Sequence, residues 1–423
     1  MGFGIAVVIG GVVGQGILRT PGLVARGFHN ETYILLAWLA GGLFSLVDSM
    51  SIVELGASIP VNGGPYAFCR RAFGTSVGFL TGWTDWLAQT ATASFIAVVF
   101  GECVHRLGLL ATVPLSVIAI GLIAVLTAFH LVSTRTSGWS QNIGSAIKAL
   151  ILFAMIAAFF RAPAGGGPTD DSPVSILLVI AALRAMYATY GGWNSATYFC
   201  EEVKDPGRSL PKATFTALFV VTILYVLINA ALLHVLPIAW LARSTLPVAD
   251  AATNIFGPNG VLLVVITSTI IVFTVENTQL MFTPRVLHSM ARDGLMPAWI
   301  SRVGRSGVPA SALLVTVVLA AVLASSGVYE RLLAIYAPLS VATNALVNLA
   351  AIRVRMKFPD LARPFKMPLF PLPSLIALTI NVALAVSFVV QDFGDAKFSL
   401  LLLAPAIPIL LWSRRQKLPA LPV

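Results

Sequence analysis

A chain of 423 residues that is 57% hydrophobic and only 10% charged, with a mean hydropathy of +0.89, has too little polar surface for a soluble protein. It reads as a polytopic all-helical membrane protein. The net charge of +10 does not mark a nucleic-acid binder, because the basic residues sit in short loops between apolar runs.

Twelve spans are expected, at about 4–25, 34–58, 77–104, 112–132, 143–160, 174–199, 212–236, 260–284, 309–326, 331–351, 372–391 and 397–413, each near the ~20 residues that cross a bilayer. No basic stretch precedes the first, so the apolar start is expected to be structure rather than a cleaved signal. Of 27 lysines and arginines, 18 fall on one side, seven on the other and two, Lys148 and Arg184, within spans. That bias places both termini in the cytoplasm of a plasma or inner membrane. Cys69, Cys103 and Cys200 have neither a disulfide framework nor metal-ligand spacing and read as small buried residues.

The first span is interrupted. Between Val7 and Leu18 stand Gly10, Gly11, Gly14 and Gly16 with Gln15 among them, and each glycine in a helix interior costs about 1 kcal/mol relative to alanine. A matching break, Tyr190-Gly191-Gly192-Trp193-Asn194, interrupts the sixth span. Unwound backbone inside a membrane is tolerated only against protein or a water-filled cavity, so two such breaks point to a binding site. The alternative is that the glycines only let helices pack closely.

Two loops correspond in the same way. Gly56 to Tyr66 ends the second span with turn formers and runs into an amphipathic stretch, Tyr66 to Phe73, expected along the inner interface. Ala291-Arg292-Asp293-Gly294-Leu295-Met296-Pro297 is expected to end another short interfacial segment after the eighth span. The correspondence supports an inverted repeat: residues 1–160 hold spans 1–5, residues 161–351 hold spans 6–10, and residues 352–423 hold spans 11–12 and the tail.

These residues resemble the amino acid–polyamine–organocation (APC) superfamily, and within it the L-type amino acid transporters and their bacterial relatives. Gly14-Gln15-Gly16-Ile17 is similar to the family's Gly-Ser-Gly-Ile signature in span 1. Tyr190 to Asn194, then Glu201-Glu202-Val203-Lys204-Asp205-Pro206 and Leu210-Pro211-Lys212, resemble its span 6 and the loop beyond. Glu54-Leu55-Gly56 with Pro60 and Gly63-Gly64, and Ala291 to Pro297, resemble the loops after spans 2 and 8. The resemblance implies a five-plus-five, LeuT-like fold with helices 1 and 6 broken at the midplane. Gln15 departs from the family's small hydroxyl residue, and Ala188 stands where an aromatic gate is common.

A broken helix offers free N–H groups at the start of its second half and free carbonyls at the end of its first. An α-amino acid carries both complementary charges on one carbon. The amides of Gln15, Gly16 and Ile17 are therefore expected to hold its carboxylate, and the carbonyls of Val12, Ala188 and Gly191 its ammonium. Gly14 and Gly192 allow the close approach, and Tyr187, Ala188, Tyr190, Trp193, Asn194 and Asn277 are candidates for the rest of the site.

Lys148 lies mid-span, where a lysine is functional by default unless it snorkels to an interface. In sodium-independent relatives a span 5 lysine replaces a bound sodium ion, and the resemblance puts Lys148 in that place. It implies uniport, exchange or proton coupling without sodium, with Lys148 itself a candidate proton carrier. Arg184 and Glu276 are the other intramembrane charges; they are expected to pair, the alternatives being a contact from Arg184 to an acidic substrate or Glu276 as a proton site. Asp85, between Trp83 and Trp86, is expected near the membrane interface. Glu201, Glu202 and Lys204, just beyond the inner end of span 6, are expected to form ion pairs with the loop after span 2 or 8 when the inner gate closes, the alternative being a solvated charge run.

The reading is a secondary amino acid permease or exchanger working by alternating access. No sequence resembles a nucleotide-binding loop, and no cofactor or metal is expected. A polyamine or organic-cation exchanger on the same fold would show acidic residues along its cavity; a non-transporting sensor is the other rival. An intramembrane enzyme is disfavoured because the five histidines lack ligand or catalytic spacing. An ancillary subunit is not predicted from Cys103.

Overall fold

Glycine, proline and polar caps decide where each apolar run begins and stops, and the computed structural model shows them at most turns. It describes residues 2–132, 134–165, 175–304, 307–326, 329–391, 398–399 and 401–413. Arg305, Lys397, Arg414, Arg415 and Lys417, counted above toward the orientation, lie outside the described residues, as does the Glu202 side chain.

The first apolar run is two helices, α1 (Gly2–Val12) and α2 (Gly16–Phe28). Then follow α3 (Glu31–Ser58), α4 (Pro65–Phe73), α5 (Thr75–Arg106), α6 (Leu115–Val132) and α7 (Thr134–Arg161). The sixth run is α8 (Ile176–Tyr190) followed by a 3-10 segment (Trp193–Glu202). The rest comprises α9 (Pro206–Val235), α10 (Ile238–Arg243), α11 (Pro247–Phe256), α12 (Pro258–Arg292), α13 (Ala310–Ala324), α14 (Tyr329–Lys357), α15 (Leu372–Gln391) and α16 (Ala406–Ser413). The Asn30 side chain accepts from Tyr33 N–H at 3.2 Å and caps α3. Proline in the first turn opens α4, α9, α11 and α12, where a missing N–H costs nothing.

Seven stretches among the described residues are long and apolar enough to cross a membrane, and four shorter apolar helices, Leu115–Leu131, Ala310–Ala324, Leu372–Phe388 and Leu401–Ser413, accompany them. The protein is an integral membrane protein.

Two expectations about interfacial segments need correcting. The segment expected to end at Ala291–Pro297 is not separate from the eighth span: α12 continues through Pro284 to Arg292, with Arg285 to Leu287 and Ser289 to Ala291 buried, and only a short 3-10 turn, Ala298–Ser301, follows it. The helix carries on because protein, not water, surrounds that last stretch. The Tyr66–Phe73 stretch is the helix α4, but Tyr66, Phe68, Cys69, Arg70 and Ala72 are buried, so it is packed into the bundle.

Helices α3 and α9 lie side by side, as do α5 and α12, α2 and α8, and α14 with both α5 and α15. A buried aromatic trio, Trp38, Tyr190 and Tyr225, joins α3, α8 and α9, with ring centroids 4.9 to 6.0 Å apart. A second buried set, including Tyr66, Phe79, Trp83, Trp86, Tyr198 and Phe282, packs α4, α5, the 3-10 segment and α12 together. Cys69, Cys103 and Cys200 are free and buried.

Candidate functional site

The two breaks face each other in the middle of the bundle. Gly191 closes α8 with φ −59° and ψ 160°, and Gly192 takes φ +99°, a conformation that glycine alone adopts without strain. A Cβ on Gly192 would stand 2.5 Å from the Gly11 carbonyl oxygen, and one on Gly11 would stand 2.9 Å from that of Gly192. Backbone therefore meets backbone directly. Beside them, the Thr20 and Thr189 hydroxyls share a hydrogen bond of 2.7 Å between α2 and α8.

The first break is propped from outside. Lys148 on α7 is fully buried, and its ammonium donates to the carbonyls of Gly10 and Val13, each at 2.9 Å. The Tyr225 hydroxyl on α9 lies 2.9 Å from the Val12 oxygen and 3.2 Å from that of Thr189, tying the two breaks together. The Val12 carbonyl also accepts from Gly14 N–H at 2.8 Å, so it already carries two donors, unlike the free acceptor expected. On the α2 side, Gln15, Gly16 and Ile17 N–H groups have no hydrogen-bond acceptor among the described residues. They retain the positive end of the α2 dipole.

A cavity of about 270 Å³ opens onto Gln15 and Gly16. Val12, Gly14, Gln15, Gly16, Tyr187, Ala188, Gly191, Gly192, Trp193 and Asn194 line it, so ten of the positions singled out from the sequence come together. Others do not reach it. Ile17 is a buried apolar side chain, and Tyr190 turns away to Trp38, donating to its carbonyl at 2.8 Å. Asn277 faces α7, its amide donating to Gln141 Oε1 at 3.0 Å. Val275 and Gln279 on the same helix line the cavity, and a residue two positions from each lies on the opposite face. Lys148 sits behind the first break and not in the cavity wall.

Arg184 and Glu276 do not pair. The Arg184 guanidinium lies over the Phe388 ring, 4.2 Å from its centroid, while both Glu276 oxygens are buried without a hydrogen-bond partner among the described residues. Neither lines the cavity. Asp85 is not interfacial either. It is buried, accepting from the Tyr198 hydroxyl at 2.9 Å and from Gln89 at 3.3 Å. Trp83 and Trp86 are buried with it, donating to Leu402 O and Thr316 Oγ1, because α5 packs against α12, α13 and α14.

The sequence reading missed several wall residues: Arg19, Phe44, Asp48, Gln89, Phe95, Gln279, Tyr336 and Asn344. For Asp48 the signal was present, since it is a carboxylate in the middle of an apolar span. The others are neutral, or lie outside the breaks, and only packing brings them to the cavity.

Under the cavity, Asn194 donates to the Tyr198 hydroxyl at 3.3 Å, and Tyr198 in turn to Asp85. At the α4 end of the bundle, charge pairs join three elements. Arg292 makes a two-pronged ion pair with Glu201, at 2.9 and 3.0 Å, and Glu201 also accepts from Asn62 N–H at 3.0 Å. Glu201 thus meets the loop after α3 through a hydrogen bond and the last turn of α12 through an ion pair, where ion pairs with the loops themselves were expected. Arg70 pairs with Asp293. Burial and then the Asp293 carboxylate raise the Tyr66 phenol above its ordinary range, so it keeps its proton and donates to Asp293 at 2.6 Å. Deeper in, Glu54 is bound by Arg355 at 2.6 Å and by Met367 N–H at 2.6 Å.

A family model described as amino acid permease matches residues 5–412. The chain is 26% identical over 424 residues to the serine/threonine exchanger SteT of Bacillus subtilis (strain 168), covering 98% of this chain and 96% of that one. It is 27% identical over 412 residues to the human cystine/glutamate transporter, with 92% and 80% covered. To the human large neutral amino acids transporter small subunit 2 it is 27% identical over 391 residues, with 88% and 72% covered. With its paired helix breaks, its shared cavity and a match across nearly its whole length, the chain belongs to the amino acid permease family.

Proposed function

We propose that the chain is a secondary transporter that carries or exchanges amino acids by alternating access, without sodium. The observation that carries this reading is the pair of facing breaks around one cavity, with the amides of Gln15, Gly16 and Ile17 lacking acceptors. An amino acid carboxylate would take those amides, and its ammonium the carbonyls of Ala188 and Gly191 across the cavity. Val12 contributes only by sharing an oxygen that Tyr225 already holds. The relatives named above act on amino acids, which supports the same substrate class.

The fold of this reading has twelve spans in a five-plus-five inverted repeat, with residues 1–160 and 161–351 as the repeats and 352–423 appended. Helices α3 and α9, and α5 and α12, lie side by side; in that scheme they pair span 2 with its equivalent 7 and span 3 with its equivalent 8. Both termini are cytoplasmic, which makes the α4 end the inner side. The ion pairs of Arg292 with Glu201 and Arg70 with Asp293 then form the closed inner gate. Lys148 supplies a fixed positive charge to the carbonyls of Gly10 and Val13, the kind of oxygen cluster that a sodium ion would otherwise need.

The test is uptake of a labelled amino acid panel into proteoliposomes in sodium-free buffer, with and without amino acid inside, for the wild type and Lys148→Ala. The expected result is saturable sodium-free uptake that the variant loses. A sodium requirement would remove the role of Lys148, and no uptake of any amino acid under any gradient would remove the transporter.

A further inference from the structure

Phe44 and Asp48 on α3, Tyr187 on α8 and Asn344 on α14 also line the cavity, and the Phe44 and Tyr187 rings lie 6.2 Å apart. Asp48 is only 1% exposed. Its Oδ1 accepts from the side-chain amides of Asn348 at 2.8 Å and Asn381 at 3.1 Å. Its Oδ2 is buried and has no hydrogen-bond partner among the described residues.

The neighbours cannot turn to serve it. The Asn348 amide nitrogen is also committed to the Asn344 carbonyl at 2.9 Å, and the Asn348 oxygen to the Ser51 hydroxyl at 2.6 Å. The Asn381 nitrogen is likewise held by the Ala377 carbonyl at 2.9 Å, and its oxygen by the Tyr187 hydroxyl at 3.0 Å. Asn344 donates to that same hydroxyl at 2.7 Å. The network holds Asp48 in one orientation with one oxygen left over.

Charge gives the same answer. Arg19 and Asp48 are the charged side chains of the cavity wall, and Arg19 is paired with Glu102 at 2.6 Å. No lysine, arginine or histidine among the described residues forms an ion pair with Asp48. A buried carboxylate needs a partner charge or it is costly. A zwitterionic backbone brings one charge of each sign, both taken up at the breaks, and leaves Asp48 unbalanced.

We infer that Asp48 is the side-chain subsite of this cavity and takes a substrate whose side chain ends in a cation, an ammonium or guanidinium that bonds the unpartnered Oδ2. This rests on the cavity being an amino acid site. An apolar side chain of similar length would leave the carboxylate unpaired, so the site prefers lysine, ornithine or arginine to leucine.

Equilibrium binding and uptake of labelled lysine and leucine by the full chain, wild type against Asp48→Asn, test this. The variant is expected to lose lysine affinity by about thirtyfold or more, the cost of removing one member of a buried charge pair. Its leucine affinity should fall far less than its lysine affinity, and a single symmetric elution peak in detergent reports that it is folded. Asp48→Glu, which keeps the charge, should recover part of the lysine binding. Wild type that binds leucine but not lysine overturns the subsite and leaves the transporter standing. So does an Asp48→Asn variant that loses both ligands in proportion, or one that loses only proton-driven uptake with the lysine to leucine ratio unchanged. Lysine binding that depends on Asp48, with no uptake, supports the subsite and removes the transporter.

Discussion

The two helix breaks reach the same end by different means. At the second, the chain supplies its own distortion: Gly192 sits at φ +99° and admits no Cβ beside Gly11. At the first, the distortion is held by side chains from other helices, Lys148 on α7 and Tyr225 on α9, which donate to the Gly10, Val12 and Val13 carbonyls. A break written in local sequence fails when one glycine changes. A break propped by neighbours loses its supports one at a time, and the losses should be graded.

The sharpest way to break the comparison is Gly192→Ala. A non-glycine residue at that φ costs about 1–3 kcal/mol, and its Cβ would meet the Gly11 oxygen at 2.5 Å, where backbone cannot yield. Folded yield in the membrane and uptake should both collapse. Gly191→Ala should be milder, since φ there is −59° and the nearest atom to a Cβ is 3.2 Å away. Equal damage from the two would show that the conformation of Gly192 is not what matters.

Lys148→Ala comes next. It leaves two buried carbonyls without their donor, at about 1–3 kcal/mol each, so the melting temperature in detergent should fall along with transport. Normal stability with lost transport would mean that Lys148 acts on substrate and not on the break.

How much could be read from the sequence follows the same division. The second break and the all-helical membrane character are legible because glycine and apolar run length are local properties. Lys148 was legible as well, since a lysine mid-span is conspicuous wherever its partner lies. Asn277 was misplaced because a residue name without a helix face says nothing of direction; Gln279, two positions on, is the one in the cavity wall. Arg184 and Glu276 were matched only by opposite charge, yet one lies over Phe388 and the other has no partner among the described residues. Asp85 was placed by its tryptophan neighbours, and packing of α5 on all sides overrode that cue.

Smaller effects sharpen the picture. Tyr225→Phe removes one donor to Val12, whose oxygen keeps the Gly14 amide, so it should cost about 1 kcal/mol. Thermal melting would register this as a shift smaller than that of Lys148→Ala. A loss as large as that of the lysine would mean that the tyrosine, the only one of the two to touch both breaks, is the main prop.

Gly14→Ala should separate stability from binding. Gly14 lines the cavity, and a Cβ there would have nothing nearer than 3.9 Å, in ordinary contact with Val12 O and Val275. Folding should therefore be almost unaffected, within about 0.5 kcal/mol. The added methyl would stand where the substrate's charged end approaches the Gln15 to Ile17 amides, and a misplacement of that kind weakens binding steeply. The expected result is a raised KM for uptake with an unchanged melting temperature. An unchanged KM would mean that the substrate does not use this side of the first break, and the free amides would need another purpose.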